Sequence, residues 1–228
     1  MDQKRIPKKE ILWITGLLLF NVVPFLGGAI RILDIFGGVE ISPENERFMA
    51  MPIPIFLHII SSLLFGILGS FQFLPHIRKY HHSWHRKAGK VIAISGLISA
   101  LTGLWMTIVY PAAKNDGPTL FYVRLFIAPA MAVCLLMAIF ALAKKNFHEH
   151  GDWMVRAYAL ALGAGTQVFT HIGFMLIIGI PAGPSRDAMM ALGWLINIVF
   201  AEFWIMHRRG NKNSSALNFN ESLDVPHC

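Results

Sequence analysis

The sequence predicts an all-α, polytopic membrane protein with six transmembrane helices, the second to fifth forming a four-helix bundle. Composition is the first reason. Of 228 residues, 55% are hydrophobic and only 14% charged, with a mean hydropathy of +0.53; soluble domains carry about 25% charged residues. Such a chain cannot cover its apolar surface with one water-soluble core. That excludes a soluble enzyme, a disulfide scaffold and a disordered regulator. The second reason is six apolar stretches, each long enough to cross the ~30 Å hydrocarbon layer. The third is the placement of the charges: a net +7, distributed as a topology signal rather than as a nucleic-acid footprint.

The stretches run over about 11–33, 52–75, 89–111, 119–143, 153–180 and 188–206. Polar or Pro/Gly-marked breaks separate them, among them Ile41-Ser42-Pro43-Glu44-Asn45-Glu46, Lys114-Asn115-Asp116-Gly117-Pro118 and Pro181-Ala182-Gly183-Pro184. A backbone in lipid must satisfy its own hydrogen bonds, so each stretch is read as a helix. The predicted organisation is a short N-terminus over 1–10, the six-helix domain over 11–209, and a loose, Asn/Ser-rich tail over 210–228.

Fifteen basic residues fall on one side: Lys4, Arg5, Lys8, Lys9, Arg78, Lys79, Arg86, Lys87, Lys90, Lys144, Lys145, Arg156, Arg208, Arg209 and Lys212. The other side carries only Arg31, Arg47, Lys114 and Arg186, together with six acids. The positive-inside rule then puts both termini in the cytoplasm. Cys134 lies in mid-membrane and Cys228 ends the sequence, so a thiolate site or disulfide is not expected. The first apolar stretch is too long for a signal peptide and has no small-residue cleavage site. No phosphate-loop, dinucleotide or zinc-protease motif occurs, and nucleic acid is not an expected partner.

Ten histidines in so apolar a chain are the informative residues. Ionisable groups inside a membrane are costly and are functional candidates by default. At 1.5 Å per residue, His58 lies ~9 Å and His171 ~6 Å outward from the midplane. The two imidazoles therefore share a level on the outer side, and a pair of neutral imidazoles from facing helices can ligate a b-type haem. Gly66, Gly69, Gly163, Ala164 and Gly165 lie near these faces and offer room for a macrocycle. The plainer reading is two unrelated polar residues, each bonded to a hydroxyl or carbonyl across the bundle.

A second group lies at the inner boundary. His85 opens the third helix within His81-His82-Ser83-Trp84-His85-Arg86-Lys87-Ala88-Gly89, and His150 opens the fifth within His148-Glu149-His150-Gly151-Asp152-Trp153. They match in depth, and Arg86 and Arg156 are placed to meet anionic groups such as propionates. Three readings stay open: an inner haem, a zinc or copper site that also draws on His76, His81, His82 or His148, and a basic loop on anionic lipid. His150 and His171 stand 21 residues apart on one predicted helix, ~31 Å along its axis, a long separation for direct electron transfer.

Among the other polar residues, Arg124 sits near the level of His58 and His171. It is placed either to neutralise a propionate, a quinone oxygen or a substrate carboxylate, or to reach the outer interface as a snorkelling side chain. Gln72, Gln167 and Asn197 are expected to bond between helices, and Glu202 to be solvated or paired with an arginine.

One set of residues resembles a known family. His58, Gly69, Gln72-Phe73, Arg78, His85-Arg86, Gly89 and Gly103, followed by His150, Trp153-Met154 and Arg156, are similar to a bacterial family of predicted membrane proteins of unknown function, DUF2306, over about residues 52–175. That resemblance implies a place in the bacterial inner membrane and no activity. More loosely, His85-Arg86-Lys87-Ala88-Gly89 is similar to the ligand step of b561-type and ferric-reductase-type membrane cytochromes. This likeness implies b haems held between histidines of a helical bundle and electron transfer across the membrane. Two candidate ligands on one helix depart from that pattern.

The expectation is therefore a membrane b-type cytochrome or haem-dependent oxidoreductase with one or two haems. His58 and His171 would ligate on the outer side, and His85 and His150 on the inner side, with Arg124, Arg86 and Arg156 nearby. Helices 1 and 6 would pack outside the bundle, with a quinone or another redox partner and a homo-oligomer as further possibilities. The alternative is a histidine-based transporter or sensor that binds a metal or small molecule without redox chemistry.

Overall fold

A computed structural model describes the backbone of residues 5–223 and the side chains of residues 5–210. Nine helices account for nearly all of it: α1 (Lys8–Phe36), α2 (Glu46–Ala50), α3 (Pro52–Gln72), α4 (Pro75–Tyr80), α5 (His82–Val109), α6 (Thr119–Ala143), α7 (Phe147–Ala161), α8 (Gly163–Ile177) and α9 (Pro184–Leu223). Among the described residues the only β-type pairing is an isolated bridge between Asp116 and Gly183. Five helices are long and apolar enough to cross a membrane, and α7 and α8, bent by 43° at their break, together form a sixth candidate span. The expected tail, 210–228, falls on residues whose side chains lie outside the described part.

Local chemistry explains the boundaries. Proline sits in the first turn of α3 and α4, where its fixed φ suits a helix start and its missing N–H leaves no bond unmade. Leu74, before Pro75, is extended, as the proline ring requires of its predecessor, so α3 stops there. Lys145 adopts φ 59° in the reversal between α6 and α7. Asn146 then caps α7 by accepting from the Glu149 amide at 3.2 Å. α5 begins at His82, seven residues before the expected 89, which places His85 in its first turns.

The fifth span differs most from expectation. It was expected as one helix over 153–180, and it forms two, hinged at Leu162. Gly163 and Gly165 weaken the helix at that point, and each admits a neighbour that a side chain would exclude. A Cβ on Gly163 would strike the Trp194 ring, and one on Gly165 would strike the Phe20 backbone carbonyl of α1.

This break divides the packing. α3, α5, α6 and α7 form a closed ring in which α3 meets α5, α5 meets α6, α6 meets α7, and α7 returns to α3. Its core holds Phe65, Ile92, Met131, Leu135, Ala157 and Tyr158. Gly96 lets the Phe65 ring and Leu135 close on α5; a Cβ there would come within 2.6 Å of the ring. The Tyr158 hydroxyl donates to the Gly66 carbonyl at 2.6 Å and lies 2.8 Å from the Ser70 hydroxyl, so the buried phenol is satisfied. α8 leaves the ring and packs on α9 and α1. The four-helix bundle of spans two to five thus exists, but only α7 completes it. α1 does not simply lie outside: it contacts both α3 and α8. Leu12, Leu176 and Ile177 are among many apolar side chains left exposed, as a lipid-facing surface requires.

Candidate functional site

The ring brings together two of the expected ligands. His85, in the first turns of α5, and His150, in the first turn of α7, stand at the same end of the ring on helices that face across it rather than touch as neighbours. His85 lies within electrostatic reach of His150, Arg78 and His82. The His150 Nδ1 is 2.9 Å from the Ala138 carbonyl of α6. A carbonyl can only accept, so Nδ1 carries the proton and the neutral ring keeps its lone pair on Nε2. That is the tautomer and anchoring expected of an imidazole ligand.

Two buried polar atoms at this end have no partner: His85 Nδ1 and Gln72 Nε2. Gln72, expected to bond between helices, instead brings its amide beside Gly89 of α5; a Cβ there would lie 3.8 Å from Gln72 Oε1. Leaving a buried donor or acceptor unpaired costs about 1–3 kcal/mol, and both of these atoms lie at the end of the ring where α3 finishes and α5 begins. Just outside it, burial and then the charge of Arg208 push the Arg78 guanidinium below its ordinary pKa, with Glu10 opposing. The Glu10 carboxylate accepts from the His76 backbone amide at 3.0 Å, which ties α1 to α4.

The other candidates lie apart from this locus. His58 anchors its Nδ1 on the Ser99 carbonyl of α5 at 3.0 Å, with Thr102 Oγ1 at 3.2 Å. His171 anchors its Nδ1 on the Gln167 carbonyl one turn earlier at 2.7 Å, and its buried Nε2 has no partner. His58 is thus tied to α5, and His171 to its own helix α8, which packs on α9 and α1. The glycines expected to leave room are filled: Gly66 by Asn21, Gly69 by the Tyr158 ring, Gly163 by Trp194 and Gly165 by the α1 backbone. His76 is buried against Tyr80 and His81, while His81, His82, His148 and Arg86 are exposed. Among the described residues, no group of three His, Cys, Asp or Glu side chains converges as a metal-ion site.

The arginines are largely committed. Arg156 makes a two-pronged pair with Glu202 of α9, at 2.6 and 2.8 Å, and lies over the Trp153 ring. Arg124 pairs with Asp116 at 2.8 Å, as does Arg186. The sequence reading passed over Asp152, which is buried at 2% exposure and joins Arg208 and Arg209 of α9 to α7. It also passed over Asp187, whose carboxylate accepts from Gly117, Thr119 and Leu120 at the start of α6. An acid in a helical apolar stretch was the available signal in both cases; its partners, more than fifty residues away, were not readable. Gln167 and Asn197 do bond between helices, to the Met190 and Ala159 carbonyls, each at 3.0 Å.

No curated protein and no solved structure matches this chain. A family model, described as a predicted membrane protein, matches residues 55–205, which takes in α3 through most of the α9 span and contains His58, His85, His150 and His171. The chain belongs to that family of predicted membrane proteins, DUF2306.

Proposed function

We propose that this protein is a membrane haem-b electron-transfer protein with one haem, held at the His85 end of the ring by His85 and His150. The observation that carries the reading is the pair itself: two imidazoles offered from opposite helices of a closed four-helix ring, one anchored through Nδ1 with its Nε2 lone pair available, beside two buried polar atoms without partners. The donor set fits bis-imidazole ligation, which needs two nitrogens and no third protein ligand. A bound haem would supply one-electron chemistry.

The chain's own residues define the rest. The Ala138 carbonyl holds His150 in one tautomer and orientation. The Gln72 amide is a buried donor for an anionic or carbonyl oxygen. The Arg78 guanidinium adds positive charge near His85, which favours electron uptake by raising the local potential. The ring core below, sealed by Phe65, Leu135 and Tyr158, keeps water from that side. For a non-redox metal site at this end, no third His, Cys, Asp or Glu joins the two histidines among the described residues, and zinc or copper chemistry favours three or more protein ligands.

Pyridine-haem analysis and reduced-minus-oxidised spectra of detergent-purified protein test the reading. The expected result is about one haem per chain, lost in both His85→Ala and His150→Ala and retained in His58→Ala and His171→Ala. Full haem content in His85→Ala and His150→Ala would refute it. Loss in His58→Ala and His171→Ala instead would move the ligands to the opposite end.

A further inference from the structure

The end of the bundle opposite His85 carries an unbalanced cation next to an exposed apolar groove. Arg31 of α1 and Arg47 of α2 lie over the same Phe48 ring, with their guanidinium carbons 4.5 and 4.6 Å from its centroid. Arg31 has Asp34 at 3.2 Å, and Arg124 and Arg186 share Asp116. Arg47 alone of these pairs with no carboxylate among the described residues. One nitrogen donates to the Pro111 carbonyl at 3.0 Å, and its Nε is buried without a partner. Burial lowers its pKa; the charge of Asp116 opposes this, and the charges of Arg124, Arg31 and Arg186 add to it. The locality therefore holds four guanidinium groups.

Phe48 also connects this cation to the groove. Its ring lies 5.6 Å from Tyr110, whose own ring lies 5.7 Å from Trp105. The Tyr110 hydroxyl donates to the Met51 carbonyl at 2.6 Å, locking the end of α5 to the start of α3. Below that lock, Ile53, Pro54 and Leu57 of α3 face Leu101, Thr102 and Trp105 of α5 across an open cleft of about 300 Å³. Ile53, Leu57, Leu101 and Trp105 are exposed.

We propose that this end is a binding site for an anionic phospholipid, with the headgroup phosphate on Arg47 and Arg31 and one acyl chain in the α3/α5 groove. Charge complementarity selects the occupant. An arginine without a carboxylate, beside a second arginine on the same ring, accepts a phosphodiester through paired N–H bonds. Around Phe48 and Asp116, the four guanidinium groups meet two carboxylates, Asp34 and Asp116, while Glu44 and Glu46 beside Arg47 are exposed; a phosphate finds more partners there than the ammonium of a zwitterionic headgroup. A free anion would satisfy Arg47 but leave the apolar groove without an occupant. Trp105 and Tyr110 stand where amphipathic aromatics sit at a membrane–water boundary.

Lipid-depleted, detergent-purified full-length protein tests the site independently of haem. The probes are phosphatidylglycerol and phosphatidylcholine with dibrominated acyl chains, and inorganic phosphate; the readouts are tryptophan quenching and melting temperature. Dibromo-phosphatidylglycerol is expected to quench the wild type more than Trp105→Phe and to raise the melting temperature. Arg47→Gln is expected to need about tenfold more of this lipid for half-maximal quenching, the loss expected for one charge-assisted contact; Arg47→Lys should recover part of it. Equal quenching by the phosphatidylcholine analogue in the wild type would overturn the proposal without reliance on any variant. So would unchanged lipid demand in Arg47→Gln, or inorganic phosphate alone reproducing the full stabilisation, which would leave a simple oxyanion site.

Discussion

Replacing Asp187 with alanine removes the contact that holds the start of α9 against the start of α6. Its carboxylate is buried at 2% exposure. It accepts four bonds: from the Gly117 amide at 2.7 Å, the Thr119 amide at 3.0 Å, the Thr119 hydroxyl at 2.7 Å and the Leu120 amide at 3.0 Å. It thus supplies, from a different helix, the cap that Pro118, preceding α6, cannot provide through a side chain. A hydrogen bond to a charged group contributes about 1.5–3 kcal/mol. Three of these four converge on one oxygen, so their effects do not add, and with three amides and a hydroxyl left without an acceptor at about 1–3 kcal/mol each before that discount, the expected loss is about 3–5 kcal/mol. For a chain of this size that corresponds to a melting temperature lower by about 6–20 °C. Thr119→Val removes one bond and is expected to cost about 1 kcal/mol. Thermal unfolding of detergent-purified variants, followed by tryptophan fluorescence, reads both. A loss below about 1 kcal/mol in Asp187→Ala would refute the argument, since it would mean that the three amides find other acceptors.

Three further outcomes are expected. Burial alone would raise the Asp116 carboxyl, but the hydrogen bond from Arg186 and the charge of Arg124 outweigh it and hold the group below its ordinary pKa. Its contribution is therefore fully present above the unfolded value and lost as pH falls through the folded one; melting temperature should drop below about pH 4 in the wild type and less steeply in Asp116→Asn. Gly165→Ala places a methyl against the Phe20 carbonyl of α1, and because backbone cannot rotate away, α1 and α8 must separate at a cost of about 1–3 kcal/mol. Ala164→Val, at the exposed neighbouring position, should stay within about 0.5 kcal/mol in the same unfolding assay. For orientation, reporter fusions after Lys145 and at the C-terminus should be cytoplasmic and one at Asn115 external; an external C-terminus would defeat the charge-count argument.

Membrane architecture was legible in the linear chain because lipid imposes a local rule. Each span must be apolar over ~20 residues and satisfy its own backbone, and α6 at Thr119–Ala143 matches the expected 119–143. The placement of two histidines was equally local: His85 and His150 each open a helix at the same membrane boundary in the sequence, and α5 and α7 begin near them at one end of the ring. The partners of those residues were decided by the tertiary structure. Sequence spacing says nothing about which helices are neighbours: His58 is anchored on α5 through the Ser99 carbonyl, whereas His171 lies on α8, which packs on α9 and α1. The hinge at Leu162 depends on α1 and on Trp194 pressing into Gly163 and Gly165, contacts made with segments some 30 to 145 residues away. For the same reason the glycines near the histidines are filled by Asn21, Tyr158 and Trp194 rather than left open. Arg156 meets Glu202, and Arg47 has no carboxylate partner among the described residues, by the packing of whole helices. Hydropathy and helical rise are properties of a segment; the pairing of charges and the closing of a ring are properties of all the segments together.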